Sequence, residues 1–450
     1  MPSSEKIAVT ILDLYKREKT LSTRSDDAQK HIELADEKKE ELSYQQYVIS
    51  TASNKIGIIQ RAIIRAYKAM QNQHPDSEWI IIVWREYGIF DLSFLTHEDQ
   101  KKLKSVLTEL INNSPKLIIV AGAILYKKTT TSDKLDKVLQ AYLPHKDILK
   151  AESKILNCSH PFNQAYQQIK NSQKCLPDNT VFFKLKNVSY VAAHQNPIAQ
   201  HGKITPYNEY HGGNTFFQPP NSKGISPIIS IVNKENQQIK LGIEICREHY
   251  FSLLKQYATK SATSIDLQFL MSSSIRFYLE KYCASLAAFH ADSLDVPRML
   301  VAKQGLKNNI AVYAYNIFEN NSQLTALEPT YPIQFQILDK IDECLSLYQF
   351  TPEVTLQLND FKKAILKVAP AIPISLNEYK KLLKEIEIMQ SNIQKIIAKP
   401  HFKENLVGIL ALQQILPDLV IEMSQNPNNK KQYDFPFSEI QENKSNCTLM

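Results

Sequence analysis

A chain of 450 residues with 43% hydrophobic and 22% charged residues has the composition of a soluble globular protein, with room for a large core and a second, smaller unit. The net charge of +7 is modest for this length, and the lysines form no long basic run, so a nucleic-acid partner is not expected. Six irregularly spaced cysteines without a CxxC pair argue against a disulfide framework and predict free thiols in a reducing compartment.

Metal, cofactor and membrane-spanning roles are not expected from the sequence. The histidines at positions 194, 201 and 211 and the segment Cys158-Ser159-His160 match no ligand spacing, so no metal site and no cofactor are predicted. The first residues lack a charged region followed by an apolar one, so no secretory signal is expected. The longest apolar runs are too short to span a membrane and predict buried strands.

Strands and helices alternate along the first 320 residues. Apolar runs and alternating patterns predict strands at 7–14, 79–84, 117–125, 181–185, 188–193, 228–232, 240–245, 265–271 and 310–315. Helical periodicity and start signals predict helices at 54–70, after a capping box of Thr96 and Asp99, at 248–258, and after Pro297. This alternation predicts an α/β layered domain over residues 1–320.

Other segments interrupt or follow this domain. Two polar stretches, about 15–50 and 127–180, are interpreted as insertions. Strand signals fade after residue 320, and helical periodicity over 355–368, 375–397 and 402–424 predicts a helical C-terminal unit spanning residues 321–425. Residues 426–450 are polar and are predicted to be a disordered tail.

Three chemically suggestive segments lie at the ends of predicted strands. Glu86 follows a buried apolar strand, Lys203 lies in the segment 201–210, and Cys246 lies where a strand turns into a helix. A thiol at such a turn beside an ammonium group favours its thiolate form. A nearby carboxylate can accept the thiol proton, and the lysine with the next backbone N–H can bind an oxyanion. The three segments together therefore predict a cysteine nucleophile with its base and oxyanion partners.

Taken singly, each feature has an ordinary structural explanation. A strand-end cysteine is more often a small buried hydrophobe, and a glutamate after an apolar strand is usually a solvated carboxylate. The order Glu, Lys, Glu, Cys, with each member at a strand end, is much harder to obtain by chance. The combination therefore favours a catalytic interpretation.

These segments resemble the strand-end motifs of the nitrilase superfamily of carbon–nitrogen hydrolases. The residues that carry the resemblance are Glu86 with Gly88, Lys203 with Pro206 and Glu209, and Gly242 with Ile245, Cys246 and Glu248. The match covers about residues 5–320. Arg85 replaces the usual proline, Lys203 lacks the common aromatic pair before it, and the intervals between motifs are long. The insertions would alter the rim of the pocket, so the substrate class is not carried over.

The resemblance implies a four-layer α-β-β-α sandwich, here with a C-terminal helical extension, and a homodimer. It also implies that Glu86 is the general base, Cys246 the nucleophile, and Lys203 with the backbone N–H of Arg247 the oxyanion site. Glu209 would position Lys203 or assist the hydrolytic water. The implied activity is hydrolysis of a small-molecule amide or nitrile without a cofactor. The alternative hypothesis is an inactive scaffold of this kind that acts as a membrane-targeted binding protein, with its helical unit contacting the partner.

The last four residues, Cys447-Thr448-Leu449-Met450, fit a CaaX prenylation box, and a terminal methionine favours farnesyl. This predicts farnesyltransferase and membrane lipid as partners and a location on the cytoplasmic face of a membrane. One prenyl chain binds membranes marginally, and Lys430, Lys431 and Lys444 add little charge. A composition rich in Lys, Asn, Ile and Gln and poor in Gly resembles that of proteins from AT-rich bacterial genomes. Together with the CaaX box, it predicts a bacterial effector that is delivered into a eukaryotic cell and lipidated there. The alternative is a eukaryotic protein that is prenylated in its own cell.

Overall fold

The computed structural model describes a set of segments that together cover most of the first 400 residues. They are residues 7–13, 52–86, 94–147, 149, 161–176, 180–205, 214–220, 226–272, 275–291, 298–300, 310–316, 324–327, 330, 332–347, 350, 352–369, 371–372 and 376–397. The predictions for residues 15–50, 402–424 and 426–450, for Glu209 and for Cys447 lie outside the described residues.

The described segments contain fifteen strands and nine α-helices. The strands are β1 Ile7–Asp13, β2 Trp79–Trp84, β3 Leu117–Thr130, β4 Phe182–Ala193, β5 Ala199–Gly202, β6 Thr215–Phe217, β7 Ile228–Val232, β8 Gln238–Ile245, β9 Ile265–Met271, β10 Phe277–Tyr278, β11 Ala284–Ala291, β12 Arg298–Leu300, β13 Ile310–Asn316, β14 Leu324–Ala326 and β15 Ala371–Ile372. The α-helices are α1 Ala52–Gln73, α2 His97–Asn112, α3 Asp136–Gln140, α4 Pro161–Cys175, α5 Arg247–Tyr250, α6 Leu253–Lys260, α7 Ile333–Leu347, α8 Pro352–Val368 and α9 Leu376–Ile397.

The chain divides into two compact units. The first lies within Met1–Ile275, Cys283–Met299 and Lys307–Pro329, and the second comprises the remaining segments. The larger sheet of the first unit has the order β14-β13-β1-β2-β3-β4-β5, with β6 paired to β4. Strands β13, β1, β2 and β3 run parallel, whereas β4 is antiparallel to β3. All six residues of β2 are buried, which is the pattern of a central strand covered on both faces.

Helices α1 and α2 cover one face of this sheet. Their apolar residues recur at helical spacing and pack against alternate residues of β1, β2 and β3 in one core cluster. The start of α2 is fixed by the predicted capping box, in which Thr96 Oγ1 accepts from the Asp99 N–H at 3.2 Å and the Thr96 N–H donates to Asp99 Oδ2 at 2.9 Å. This local prediction is confirmed.

The second sheet of the first unit has the order β12-β11-β9-β8-β7. Strands β8, β9 and β11 are parallel, and β7 is antiparallel to β8. Helix α6 packs closely on β8 at Gly242, where a Cβ atom would lie 2.6 Å from Leu254 Cδ2. The glycine therefore permits the helix to lie directly against the strand whose end leads to Cys246.

The second unit is largely helical. Helix α8 contacts α7 and α9, and its inward residues Val354, Leu358, Phe361 and Ile365 are buried. The short strands β10 and β15 pair antiparallel, and Arg276 forms an ion pair with Glu378 at 2.7 Å.

Several predicted elements differ from those observed. Phe182–Ala193 form one strand rather than two, since the antiparallel ladder with β3 includes the polar residues Lys186 and Asn187 between the apolar runs. The helix predicted at 248–258 is two helices, because Ser252 adopts a left-handed conformation with φ 56° between them. Strand β11 and helix α7 were not predicted. Described residues after Pro297 form strand β12 rather than a helix start.

The described residues form a mixed α/β protein with two large sheets and the short β10–β15 pair. The four-layer arrangement and the homodimer implied by the resemblance remain predictions. Within the described residues, no helix is both long and apolar enough to cross a membrane.

Candidate active site

Glu86 lies just beyond the carboxyl end of β2. The pairing of β3 with β4 shifts register between Ala121 and Ile124. At the same place, β3 closely approaches the end of β2. A Cβ atom on Gly122 would lie 2.2 Å from the Arg85 carbonyl oxygen and 2.3 Å from that of Trp84. Only glycine tolerates such an approach of backbone to backbone. The irregular stretch of β3 therefore fixes the segment from which the Glu86 side chain projects.

Lys203 directly follows β5 and forms a buried ion pair with Glu86. The two side chains are each 1% exposed, and Lys203 Nζ donates to Glu86 Oε1 at 2.9 Å. Asn187 contacts both residues, because its Nδ2 donates to the same Glu86 oxygen at 2.9 Å and its carbonyl oxygen accepts from the Lys203 N–H at 2.8 Å. Two donors on one oxygen favour an ionised carboxylate. Glu86 is therefore equipped to act as a base.

Cys246 lies on the turn between β8 and α5 and is 7% exposed. Its backbone has φ 49° and ψ −109°, a conformation that non-glycine residues rarely adopt and that costs about 1–3 kcal/mol. The turn is held by hydrogen bonds from the Cys246 N–H to the Met271 carbonyl oxygen at 2.8 Å and from the His249 N–H to the Cys246 carbonyl oxygen at 3.1 Å. Strain of this kind, held by surrounding structure, is common at nucleophiles and ligand sites.

Glu248 joins the Cys246 turn to the Lys203 segment. Its Oε2 accepts from the Ile245 N–H at 3.0 Å and from His201 Nε2 at 2.7 Å, and its Oε1 accepts from the Ile204 N–H at 2.9 Å. The Glu248 and His201 side chains are 1% and 2% exposed. The carboxylate thus binds residues on both sides of Lys203 and the residue before Cys246. This bridge, from Glu248 to His201, Ile204 and Ile245, brings the lysine and cysteine segments together.

A second buried network supports the same turn. Glu244 Oε2 accepts from His249 Nδ1 at 2.7 Å and from Gln268 Nε2 at 2.8 Å. Gln268 Oε1 in turn accepts from the Cys283 N–H at 3.1 Å. Burial, with a smaller contribution from Glu244, raises the pKa of the Cys283 thiol to about 12. Cys283 therefore stays a neutral thiol at neutral pH.

Four of the predicted site residues are described in the structure, and two are not. Glu86 and Lys203 are in direct contact, Cys246 is linked to them through Glu248, and Arg247 follows Cys246 as the first residue of α5. The helix that begins there is a single turn, so the helical charge effect expected at the thiol is smaller than a longer helix would give. Glu209 and Cys447 lie outside the described residues.

Sequence reasoning missed three contributors to this arrangement. Asn187 carries no motif, His201 attracted notice only as a metal ligand, and Glu248 belonged to the cysteine motif without an assigned role. The available signal was the spacing of His201 from Lys203, which places both near the end of one short strand. Within the described residues, no group of His, Cys, Asp or Glu side chains could hold a metal ion.

Comparison with known proteins gives only distant matches. No family model and no curated protein matches the chain. Among solved structures, a mutant amidase of the nitrilase superfamily from Nesterenkonia AN1 is similar over 57% of this chain and 78% of its own, at 9% identity and a TM-score of 0.28. Saccharomyces cerevisiae Nit3, of branch 10 of the nitrilase superfamily, matches 56% of this chain and 78% of its own, at 14% identity and a TM-score of 0.28.

A glutamine-dependent NAD+ synthetase from Acinetobacter baumannii is similar over 75% of this chain and 70% of its own, at 9% identity and a TM-score of 0.30. Because all these identities and TM-scores are low, we base the functional proposal on the side chains described above.

Proposed function

We propose that this chain is a cysteine-dependent hydrolase of a non-peptide carbon–nitrogen bond, an amide or a nitrile, that acts through an acyl-thioester on Cys246. The observation that carries the proposal is the buried Glu86–Lys203 pair, whose lysine segment is joined to the Cys246 turn by Glu248. Isolated buried ion pairs often contribute little net stability, so a catalytic role gives a reason for placing one here. The resemblance of the three motifs supports the same chemistry.

The first half of the proposed reaction is acylation. Glu86 accepts the proton of the Cys246 thiol while the sulfur forms a bond to the amide carbonyl carbon. The carbonyl π electrons move to oxygen, and Lys203 Nζ with the Arg247 N–H binds the resulting oxyanion. When the carbonyl re-forms, the carbon–nitrogen bond breaks and the leaving nitrogen takes the proton from Glu86. The products of this half are ammonia or an amine and the thioester.

The second half is hydrolysis of the thioester. Glu86 accepts a proton from water as the water oxygen bonds to the thioester carbon, and the same oxyanion site binds the new intermediate. Collapse breaks the carbon–sulfur bond, and the Cys246 sulfur recovers the proton held by Glu86. The released product is a carboxylic acid. Glu209 would position Lys203 or assist the attacking water.

Labelling with an electrophilic amide or nitrile probe tests this proposal. Cys175 is exposed, so the experiment uses a Cys175→Ala background, with peptide mapping to locate the label. We expect Cys246→Ala to remove the labelling and the hydrolysis of an amide panel. The matched control is Cys283→Ala, which removes a thiol of raised pKa and should leave both unchanged.

Equal labelling of the Cys246→Ala variant and its parent would reject the enzyme. It would favour the alternative, a scaffold that binds a partner without turnover. If the protein is such a scaffold, deleting residues 325–440 should abolish whatever effect its expression has on the cell, whereas Cys246→Ala should leave that effect unchanged.

We further propose that Cys447 is prenylated by farnesyltransferase and places the protein on the cytoplasmic face of a membrane. The CaaX pattern supports this step. In eukaryotic cells, Cys447→Ser should move the protein from the membrane fraction to the soluble fraction and remove incorporation of a farnesyl analogue. Cys175→Ser, which changes an exposed cysteine outside the box, should alter neither. Analogue incorporation that persists in Cys447→Ser would refute this proposal.

A further inference from the structure

Five lysines lie near the end of β3, near the start of its antiparallel neighbour β4, or in the segment that follows β3. The register places Lys128 directly opposite Lys184, and Lys186 lies two residues from Lys184 on the same face. Lys134 and Lys137 follow in the segment after β3, in a 3-10 turn and in α3. We call these five residues the lysine cluster: Lys128, Lys134, Lys137, Lys184 and Lys186.

The lysine cluster has no acidic partner at ion-pair distance within the described part of the chain. Like charges directly opposite each other on a sheet are destabilising, as for Lys128 and Lys184. Partial desolvation lowers the pKa of Lys184, and repulsion from the other four lysines lowers it further. Asp133 and Asp136 belong to the same segment but form no ion pair with the cluster. A hydrogen bond with Thr131, and to a smaller extent the charges of Lys134 and Lys137, lower the pKa of Asp133, so this carboxylate offsets part of the charge. The cluster keeps an excess of positive charge, which an anion would stabilise.

Lys127, next to Lys128 in sequence, contacts aromatic rings and is not part of the cluster. Its Nζ lies 3.9 Å from the centroid of the Phe183 ring and 5.3 Å from that of Phe94. Because successive residues of a strand point to opposite faces, Lys127 belongs to the other face of the strand pair. Lys128, Lys184 and Lys186 thus lie on the other side of the strand pair from Lys127. In the cluster, Lys184 is half-buried and the other four lysines are exposed.

An exposed aliphatic side chain follows Lys128, Lys134 and Lys137 along the chain. Leu143, in the turn after α3, is 54% exposed. A lipid surface matches both features, since it offers phosphate charges and an apolar layer below them.

We propose that the lysine cluster is a docking surface for an anionic phospholipid membrane. The surface is separate from the residues assigned to the Cys246 reaction. It would supply the second membrane signal that a single prenyl chain requires for stable attachment.

The test is flotation of the full chain with lipid vesicles, in a Cys447→Ser background that removes lipidation. Vesicles of phosphatidylcholine with phosphatidylserine should carry the protein, and vesicles of phosphatidylcholine alone should not. The triple variant K128Q/K184Q/K186Q should reduce partitioning about 100-fold at low ionic strength, since each lysine near an anionic surface contributes roughly a factor of five. The triple variant K128R/K184R/K186R keeps the charges and should bind as the parent does.

A matched control removes three exposed lysines from α9, in K380Q/K381Q/K384Q. It changes the net charge equally and should leave partitioning unchanged. The proposal is overturned if both glutamine triples bind equally well, or if the parent floats equally with neutral vesicles. It is also overturned if a single-stranded RNA binds the parent more tightly than the anionic vesicles do and loses that binding in K128Q/K184Q/K186Q. Circular dichroism verifies the folding of each variant.

Discussion

Replacing Lys203 with methionine should lower the free energy of unfolding by about 3–5 kcal/mol and reduce kcat by about 10²–10³-fold. The stability loss follows because the variant leaves the Glu86 carboxylate buried without its ammonium partner. The loss of rate follows because the lysine is the proposed side-chain donor to the oxyanion. Urea unfolding measures the first effect, and hydrolysis of an amide substrate measures the second.

The double variant Glu86→Gln/Lys203→Met separates the two effects. Asn187 Nδ2 can still donate to the glutamine oxygen, and no unpaired charge remains from the pair, so most of the stability should return. Activity should not return, because the base and the oxyanion donor are both absent. A Lys203→Met protein as stable and as active as the parent would contradict the role assigned to the pair.

Replacing Glu248 with glutamine should reduce kcat by about 100-fold while changing KM much less. The glutamine amide presents one acceptor oxygen where the carboxylate offered two, so it cannot accept from Ile245, Ile204 and His201 together with the original geometry. A displacement of about 1 Å between reacting groups costs about this factor in rate. We therefore regard Glu248 as a positioning residue.

Glu244→Gln is the matched control for Glu248→Gln. Both carboxylates are 1% exposed and both support the same turn, but Glu244 contacts His249 and Gln268 instead of the Lys203 segment. Each substitution should cost about 1.5–3 kcal/mol of stability, the usual contribution of a hydrogen bond to a charged group. Only Glu248→Gln should show the large fall in kcat. Parallel losses of kcat in the two variants would assign Glu248 a structural role alone.

Several local elements of this protein could be predicted from its amino-acid sequence. The run Trp79–Trp84 predicted a strand buried along its whole length, and Thr96 with Asp99 predicted the start of a helix; both are observed. These signals are reliable because they depend on contacts between residues two to four positions apart. The positions of Glu86 and Cys246 just beyond strand ends followed from the same patterns.

Which of these strand ends meet depends on the tertiary fold. The Glu86–Lys203 pair joins residues 117 positions apart, and the Glu86–Asn187 contact joins residues 101 apart. Such partnerships depend on strand order, on the register of β3 with β4, and on the close approach that Gly122 permits. No local sequence pattern specifies these long-range contacts. The contacts of Asn187 and the bridging role of Glu248 could therefore not be predicted from the sequence.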